Sequence, residues 1–375
     1  MTGTSEMANI LAEAAGRLLE DHVTRDVLGA AEDGTWSNDL WQVLEDNGLT
    51  QPLAPEDRGG MGASFADAFV IAFAAGRRRA PVPLVETMAA GWLLGRAGID
   101  VPPGPLALID GEAGLTVTNG AVSGTAEGVP WAARAGHLVA EIDGTVALIP
   151  ADAVTITPDR NMAGEPRDTV TFTDAKPSAT GTLDLTATLP VARTLGALMR
   201  AAQMAGAMEG AVTLAVQHAG DREQFGRPIA KFQAIQQMLA RAAARAAQAR
   251  SAAETAFLAL DRAGGDLTDA EWDVAAAKVV AGEAAEIVYD AAHQTHGAIG
   301  FTYEHELHFT TRRLWAWRGE FGAETYWAGE IGQRVLARGA DNLWPVLTAR
   351  QKGWAVRPPP SPPLPGTRPH RLPGC

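Results

Sequence analysis

Residues 221–240 read DREQFGRPIAKFQAIQQMLA and lie between two long helical segments of the chain. Gly226 and Pro228 break the helix inside this stretch, because both residue types are disfavoured in a helix interior. Apolar residues recur at helical spacing in three segments: 191–218, 229–260 and 271–294. All three are rich in alanine, which lets helices approach closely. We therefore expect residues 188–348 to form a four-helix bundle.

The chain changes character twice before this bundle. Residues 1–103 have helical periodicity, and Ser64 can cap a helix after the glycine turn at 59–62. Residues 104–187 are rich in Gly, Thr, Val and Pro and contain short strand-like segments such as LTVTNG and TVALIP. Residues 349–375 are rich in proline, and we expect a disordered tail there. The sequence thus predicts a mainly α, α+β fold with an N-terminal helical domain, a small middle β-domain and a C-terminal bundle.

Composition excludes several classes of protein. The net charge of −13 argues against a nucleic-acid partner, which normally requires a basic face. No stretch approaches the roughly 18 apolar residues of a membrane span, and the N-terminus is typical of a helix rather than a signal peptide. The single cysteine, Cys375, ends the chain, so disulfides, cysteine-bound metal and thiol catalysis are excluded from the folded core. We expect a cytoplasmic protein.

The stretch at 221–240 resembles the signature of the acyl-CoA dehydrogenase family, in which Arg, Gln or Thr, Phe and Gly precede an Ile and a Phe-Gln pair. A second segment, QTHGAIGFTYEHEL, resembles that family's Gln-x-x-Gly-Gly run, with Ala298 replacing the second glycine. The segment EDRGGMGASFADA resembles its N-terminal glycine turn. With the helical, β, helical order, the resemblance covers nearly all of residues 1–348.

The resemblance implies FAD as the cofactor. A guanidinium can hold a pyrophosphate through two charge-assisted hydrogen bonds, and Arg222 is the candidate. Gln224 can bond phosphate or ribityl oxygens, and Gln233 can bond the polar edge of the cofactor. Gln294 belongs to the second family motif. Phe225 and Phe232 offer ring faces to an adenine, and Gly297 permits close backbone approach. In the family these groups reach the FAD of a neighbouring subunit, so the resemblance implies a homo- or hetero-oligomer with shared sites.

The position of the catalytic base departs from the family pattern. In the family a Glu-Gly pair follows Gly-Phe-Thr, and its carboxylate removes the proton α to the thioester. Counting without gaps from Gly300-Phe301-Thr302 places Phe321 there, whereas the acid is one residue earlier, at Glu320. Either Glu320 is the base or the base has been lost. If Glu320 is the base, we expect burial beside the flavin to raise its pKa toward neutrality.

A minority of the family places its base early in the first long C-terminal helix. That position falls near Gly196, and no acid lies between Leu189 and Met208. The family loops that wrap the chain's own flavin are also replaced, by LALIDGEAG at 106–114 and GTAEGVPWA at 124–132. The motifs that contact a neighbour's FAD are therefore retained, while those for the chain's own flavin are weak.

The histidines show no metal-binding spacing. His293 and His296, and His305 and His308, are each three residues apart on predicted helices with no acidic ligand set around them. We expect structural or polar roles for them and no metal.

Three hypotheses follow. The first is an active FAD-dependent acyl-CoA dehydrogenase that converts an acyl-CoA to the 2,3-enoyl-CoA and passes electrons to an electron-transfer flavoprotein or similar acceptor. The second is a non-catalytic subunit that completes the FAD site of an active paralogue in a mixed tetramer. The third is a helical scaffold without a cofactor, which the retained motif at 221–240 argues against.

Overall fold

The structure is a computed structural model that describes residues 6–185 and 187–345. Its N-terminal part is helical. Ser64 and Asp67 form the predicted cap, in which each side chain bonds the backbone of the other residue. The helices Phe65–Arg78 and Leu84–Arg96 are buried on nearly every face, so the N-terminal part forms one core with the C-terminal helices. The N-terminal helices are α1 (Glu6–His22), α2 (Arg25–Glu32), α3 (Asn38–Asp46), α4 (Phe65–Arg78) and α5 (Leu84–Arg96).

The middle part consists of two four-stranded sheets that enclose their own small apolar core. One sheet has the order β1-β4-β5-β8 and the other β2-β3-β7-β6, and only β1 and β4 pair in parallel. The strands are β1 (Leu106–Leu108), β2 (Thr116–Thr118), β3 (Ala121–Pro130), β4 (His137–Ile142), β5 (Thr145–Pro150), β6 (Thr155–Thr157), β7 (Arg167–Ala175) and β8 (Ala179–Thr182). Short strands separated by turn residues are what the sequence pattern predicts for this region.

The C-terminal part is the predicted helical bundle. It contains α6 (Val191–Asp221), α7 (Gln233–Arg262), α8 (Leu267–His296), α9 (Leu307–Gly319) and α10 (Glu324–Arg338). A small hairpin of β9 (Glu223–Gln224) and β10 (Arg227–Pro228) separates α6 from α7. The buried stripe of α7 is largely alanine, namely Ala242, Ala246, Ala249, Ala253 and Ala256. The fold class is therefore confirmed.

Helices α4 and α6 cross at glycines that contact the backbone of the other helix. A Cβ at Gly76 would lie 2.0 Å from the carbonyl oxygen of Gln203, and a Cβ at Gly206 would lie 2.0 Å from that of Phe73. No residue larger than glycine fits at either position without moving a helix. This crossing joins the N-terminal helices to the bundle.

The domain boundaries at 103/104 and 187/188 stay predictions, although the helices give way to strands after Arg96 and resume at Val191. The predicted disordered tail lies outside the described residues. Within those residues, no helix combines the length and apolar character needed to cross a bilayer.

Candidate functional site

The segment from Arg222 to Gln233, called the hairpin corner below, projects from the junction of α6 and α7. Arg222 is the C-cap of α6 and bonds Ile229 through its carbonyl. The turn residues Phe225 and Gly226 have φ of 55° and 76°, the two positive values of a type I′ hairpin turn. Glycine accepts this conformation readily, but an aromatic residue does so at a cost.

The side chains of the hairpin corner are turned outward. Phe225 is 91% exposed and meets Phe232 edge to face, with ring centroids 6.1 Å apart. The guanidinium of Arg227 lies 4.4 Å from the ring centre of Phe232. Arg222 and Gln224 are exposed, and the Arg222 side chain forms no ion pair within the described residues. An exposed cation, amide groups and two aromatic rings thus share one surface.

Gln294 and Gly297 line a different cleft, of about 540 Å³, together with Met238 and Phe301. Gln294 is exposed near the end of α8, and Gly297 ends that helix with φ 63°. A Cβ at Gly297 would meet no atom of the chain within 4 Å, so the chain leaves open the space beside it. The predicted cofactor residues therefore lie in two places on the chain.

Glu320 lies in a third place, inside what we call the buried ion cluster. This cluster comprises Glu86, Glu165, Arg167, Arg200 and Glu320. Arg167 donates two bonds to the Glu320 carboxylate, from Nε at 2.7 Å and Nη2 at 3.0 Å. Arg200 donates a third from Nε at 2.8 Å, and Asn161 a fourth at 3.3 Å. Every part of this carboxylate is thus committed to donors of the same chain.

The other two carboxylates of the cluster, Glu86 and Glu165, also accept bonds from arginines. Glu86 accepts a bond from Arg200 at 2.5 Å. Glu165 accepts from Arg167 at 3.1 Å, from Arg313 at 2.9 Å and from the indole of Trp317 at 2.9 Å. Burial opposes ionisation of Glu165, yet the charges of Arg313, Arg167 and Arg200 lower its pKa to about 2.

The expected rise in the pKa of Glu320 is wrong. Burial alone would raise this pKa, but the charges of Arg167 and Arg200 outweigh burial and hold it below its usual value. Glu320 is not a solvated surface residue either, because only 15% of its side chain is exposed. A carboxylate whose pKa is depressed by two guanidinium groups is a weak base.

The two positions at which the family places its catalytic base correspond here to Phe321 and Gly196. These residues are in contact, and neither is an acid. Phe321 has φ 52° and is buried, and its ring covers Gly196. A Cβ built on Gly196 would lie 2.3 Å from Phe321 Cδ1, so no acidic side chain fits there beside this ring.

Lys278 holds in place the loop between α9 and α10, which carries Glu320 and Phe321. Its ammonium donates to the carbonyls of Arg318 at 2.8 Å and Gly322 at 2.6 Å. Burial lowers the pKa of Lys278 to about 7 against the attraction of Glu320. The backbone on both sides of Glu320 and Phe321 is therefore fixed.

Glu320 and Phe321 also line a cleft of about 500 Å³ against the β-domain. Its wall includes three further acids, Asp110, Glu112 and Glu127. The guanidinium of Arg193 is already bonded to Asp110, at 2.8 and 3.0 Å, and to Glu112. Tyr326 donates to Glu112 at 2.9 Å. The cleft therefore presents negative charge, and its one lining arginine is already paired.

Three histidines that are not neighbours in sequence spacing lie together in the structure. His305 lies in a loop, not on a helix, and ring nitrogens of His218, His296 and His305 lie within 4.8 Å of one another. Burial lowers the pKa of His296 to about 4, so its ring is neutral at neutral pH. His218 is on α6, remote in sequence, and local spacing therefore could not reveal this cluster.

Comparison with known proteins identifies the family. Residues 5–100 match the model of the acyl-CoA dehydrogenase N-terminal domain, and residues 190–336 match that of its C-terminal domain. The chain is also 30% identical over 316 residues to the acyl-CoA dehydrogenase IpdE2 of Mycolicibacterium smegmatis, covering 82% of this chain and 92% of the relative.

The chain belongs to the acyl-CoA dehydrogenase family.

Solved structures share the acyl-CoA dehydrogenase fold. The ChsE4–ChsE5 complex of Mycobacterium tuberculosis superposes with a TM-score of 0.77 at 26% identity, over 90% of this chain and 99% of that chain. Butyryl-CoA dehydrogenase of Megasphaera elsdenii superposes with the same TM-score at 19% identity, over 90% and 100% of the two chains.

Acyl-CoA dehydrogenases depend on FAD, and the hairpin corner and the cleft beside Glu320 fit that cofactor unequally. The hairpin corner fits, because it offers an uncommitted guanidinium for a pyrophosphate and ring faces for an adenine. The open space beside Gly297 also permits a ligand to approach the backbone. The cleft beside Glu320 does not fit, because it offers several carboxylates and no unpaired cation from its one lining arginine to a cofactor that carries two phosphates.

Proposed function

We propose that this acyl-CoA dehydrogenase family member is a non-catalytic subunit of a mixed assembly. It completes the FAD site of a catalytic paralogue with its hairpin corner, and it performs no dehydrogenation in its own cleft. The observation that carries the proposal is the commitment of Glu320 to Arg167 and Arg200, with Phe321 packed on Gly196. No carboxylate at these positions is available to take a proton from a thioester.

The hairpin corner supplies the binding role. Arg222 would hold the pyrophosphate of the paralogue's FAD, Gln224 and Gln233 its polar edge, and Phe225 and Phe232 its adenine. Gln294 and Gly297 would lie against the same cofactor from the end of α8. When bound, FAD accepts the hydride from the β-carbon of an acyl-CoA, and an electron-transfer flavoprotein or similar acceptor would then reoxidise it. The ChsE4–ChsE5 complex, a structure of two named proteins, supports a mixed assembly.

The alternative is an active dehydrogenase in which Glu320 is the base. This role requires the Glu320 carboxylate to leave both guanidinium groups, which would strand Arg167 and Arg200 in the interior. Breaking a buried pair in this way costs about 3–5 kcal/mol. The geometry therefore favours the partner role.

The test compares the chain alone with its complex with an acyl-CoA dehydrogenase paralogue. Each is mixed anaerobically with short, long, branched and steroid-like acyl-CoA thioesters, and flavin absorbance is followed. We expect bleaching only in the complex, and we expect Glu320→Gln in this chain to leave the bleaching rate unchanged. Glu254→Gln, at an exposed position on α7, is the matched control.

Two results would overturn the proposal. One is bleaching by the chain alone that Glu320→Gln slows by about 100-fold or more, as loss of a general base does. The other is a stable, flavin-loaded monomer in sedimentation at micromolar concentration, because a site shared between subunits cannot be complete in one chain.

A further inference from the structure

Three imidazoles meet where α6, α8 and the loop after α8 converge. His218 lies in the last turn of α6, His296 is the last residue of α8, and His305 precedes α9. The rings of His218 and His296 are stacked with centroids 4.5 Å apart, and the His305 ring lies 4.4 Å from that of His296. One ring nitrogen from each residue falls within 4.8 Å of the others.

His296 directs an unused lone pair into this cluster. Its Nδ1 lies 2.7 Å from the carbonyl oxygen of Ala292. Since a carbonyl only accepts, Nδ1 carries the ring hydrogen and the neutral ring leaves its lone pair on Nε2. His296 is 6% exposed, and Nε2 has no hydrogen-bond partner among the described residues. A buried acceptor left unpaired is costly, so this nitrogen requires an explanation.

We propose that His218, His296 and His305 bind one divalent transition-metal ion of the zinc type. Neutral imidazole is a preferred ligand of such ions, and three of them leave a fourth position for water or a carboxylate. A zinc–nitrogen bond of about 2.0–2.1 Å requires ligand nitrogens about 3.3 Å apart in a tetrahedral site. His218 and His305 are only partly buried, so rotation of their side chains can close the remaining gap.

The surroundings suit a cation. A cleft of about 340 Å³ opens beside His218 and His305, and its lining includes the carboxylates of Asp221, Glu304 and Glu306 and one guanidinium, that of Arg25, so that acids outnumber cations in the lining. Glu306 is paired with Arg79 at 3.2 Å, whereas Asp221 follows His218 by three residues on the same helical face. Binding through His305 exchanges the bond that its Nδ1 accepts from Leu307 N, at 3.1 Å, for the bond to the metal.

The position of the ion gives it a structural role. It would join the end of α6, which leads into Arg222, to the end of α8, which carries Gln294 and Gly297. These ends are separate in the sequence and meet at this cluster. The ion would therefore fix the surface that faces a partner chain, and it would take no part in hydride transfer.

The test uses the full chain without a tag and with Cys375→Ser, so that no thiol can bind the ion. After treatment with a chelator, the chain is titrated with Co²⁺ and Zn²⁺ and followed by visible absorption and calorimetry. We expect one ion per chain, with the intense visible bands of a tetrahedral Co²⁺ site. His218→Ala should weaken binding at least about tenfold, and His22→Ala, at a partly exposed histidine on α1, should leave it unchanged.

Several outcomes would overturn the proposal. They are the absence of saturable binding, equal binding by the triple variant His218→Ala, His296→Gln, His305→Ala, and equal loss in His22→Ala. Circular dichroism of His218→Ala checks that the partly exposed substitution leaves the fold intact. Because no flavin or acyl-CoA is present, the result is independent of the proposed partner role.

Discussion

Arginine and phenylalanine occur both at the buried ion cluster and at the hairpin corner, but in opposite environments. Arg200 is 2% exposed and bonds two carboxylates, whereas Arg222 is exposed and bonds none within the described residues. Phe321 and Phe225 both have φ near +50°, yet the first is 7% exposed and packed on Gly196 while the second is 91% exposed. Packing offsets the backbone cost of Phe321. The ring of Phe225 meets that of Phe232 but stays 91% exposed, so its backbone cost is offset by little burial, which is typical of a residue kept for binding.

The largest expected effect comes from opening the buried ion cluster. Arg200→Met should lower the free energy of unfolding by about 3–5 kcal/mol, because it leaves Glu86 buried without its cation and Glu320 with Arg167 alone. Urea denaturation followed by circular dichroism measures the change. Arg17→Met is the control, because Arg17 and Glu13 form a pair 72% exposed on both sides, and such pairs contribute at most about 1 kcal/mol. Equal effects of the two substitutions would contradict the contrast between interior and surface.

The pH dependence of stability tests Lys278, beside the cluster. Its pKa falls from the ordinary value of 10.5 to about 7 on folding. Between these values the unfolded chain binds more protons than the folded chain, so this residue makes stability rise with pH by a few kcal/mol. Below pH 7 both states are protonated, and the cost of burying the charge is fully present. Thermal unfolding from pH 7 to 10 should therefore show a rise that is absent in Lys278→Met; parallel profiles would show that burial does not perturb this lysine.

At the hairpin corner the expected effects fall on binding. Arg222→Ala should weaken FAD retention in the mixed complex by about 10- to 100-fold, since a charge-assisted bond contributes about 1.5–3 kcal/mol. Helical circular dichroism should not change, because the side chain is exposed. Flavin absorbance after dilution measures the loss. Arg245→Ala is the control, since Arg245 is exposed and bonds Gln248 on its own helix. Full flavin retention by Arg222→Ala would remove Arg222 from the site.

The smallest expected effect is on stability, and it distinguishes the backbone strain at Phe225 from the contribution of its ring to binding. Phe225→Gly should raise the free energy of unfolding by about 0.5–1 kcal/mol, because glycine accepts a positive φ without the steric cost. Phe225→Ala keeps that cost and should give no gain. Both substitutions should loosen FAD in the complex equally, since both remove the ring. A gain in stability from Phe225→Ala would show that exposure of the ring, rather than the backbone, is unfavourable.

The fold was predictable because its signals are local. Alanine at helical spacing, turn residues between short strands and the cap at Ser64 each act within a few residues. The environment of Glu320 was not predictable, because Glu86, Arg167 and Arg200 come from three separate parts of the chain. No spacing rule records which arginine will face a given acid. The grouping of His218 with His296 was missed for the same reason, and only the folded chain brings them together.

The glycine crossing of α4 and α6 has a consequence for motion. Backbones in contact at Gly76 and Gly206 leave no side chain between them that could change rotamer, so the two helices cannot slide past each other by small repacking steps. We therefore expect the N-terminal helices and the bundle to move as one body. Opening and closing around a ligand must come from elsewhere, from loops or from the displacement of whole subunits, and the amides on either side of this crossing should be among the slowest in the chain to exchange with solvent.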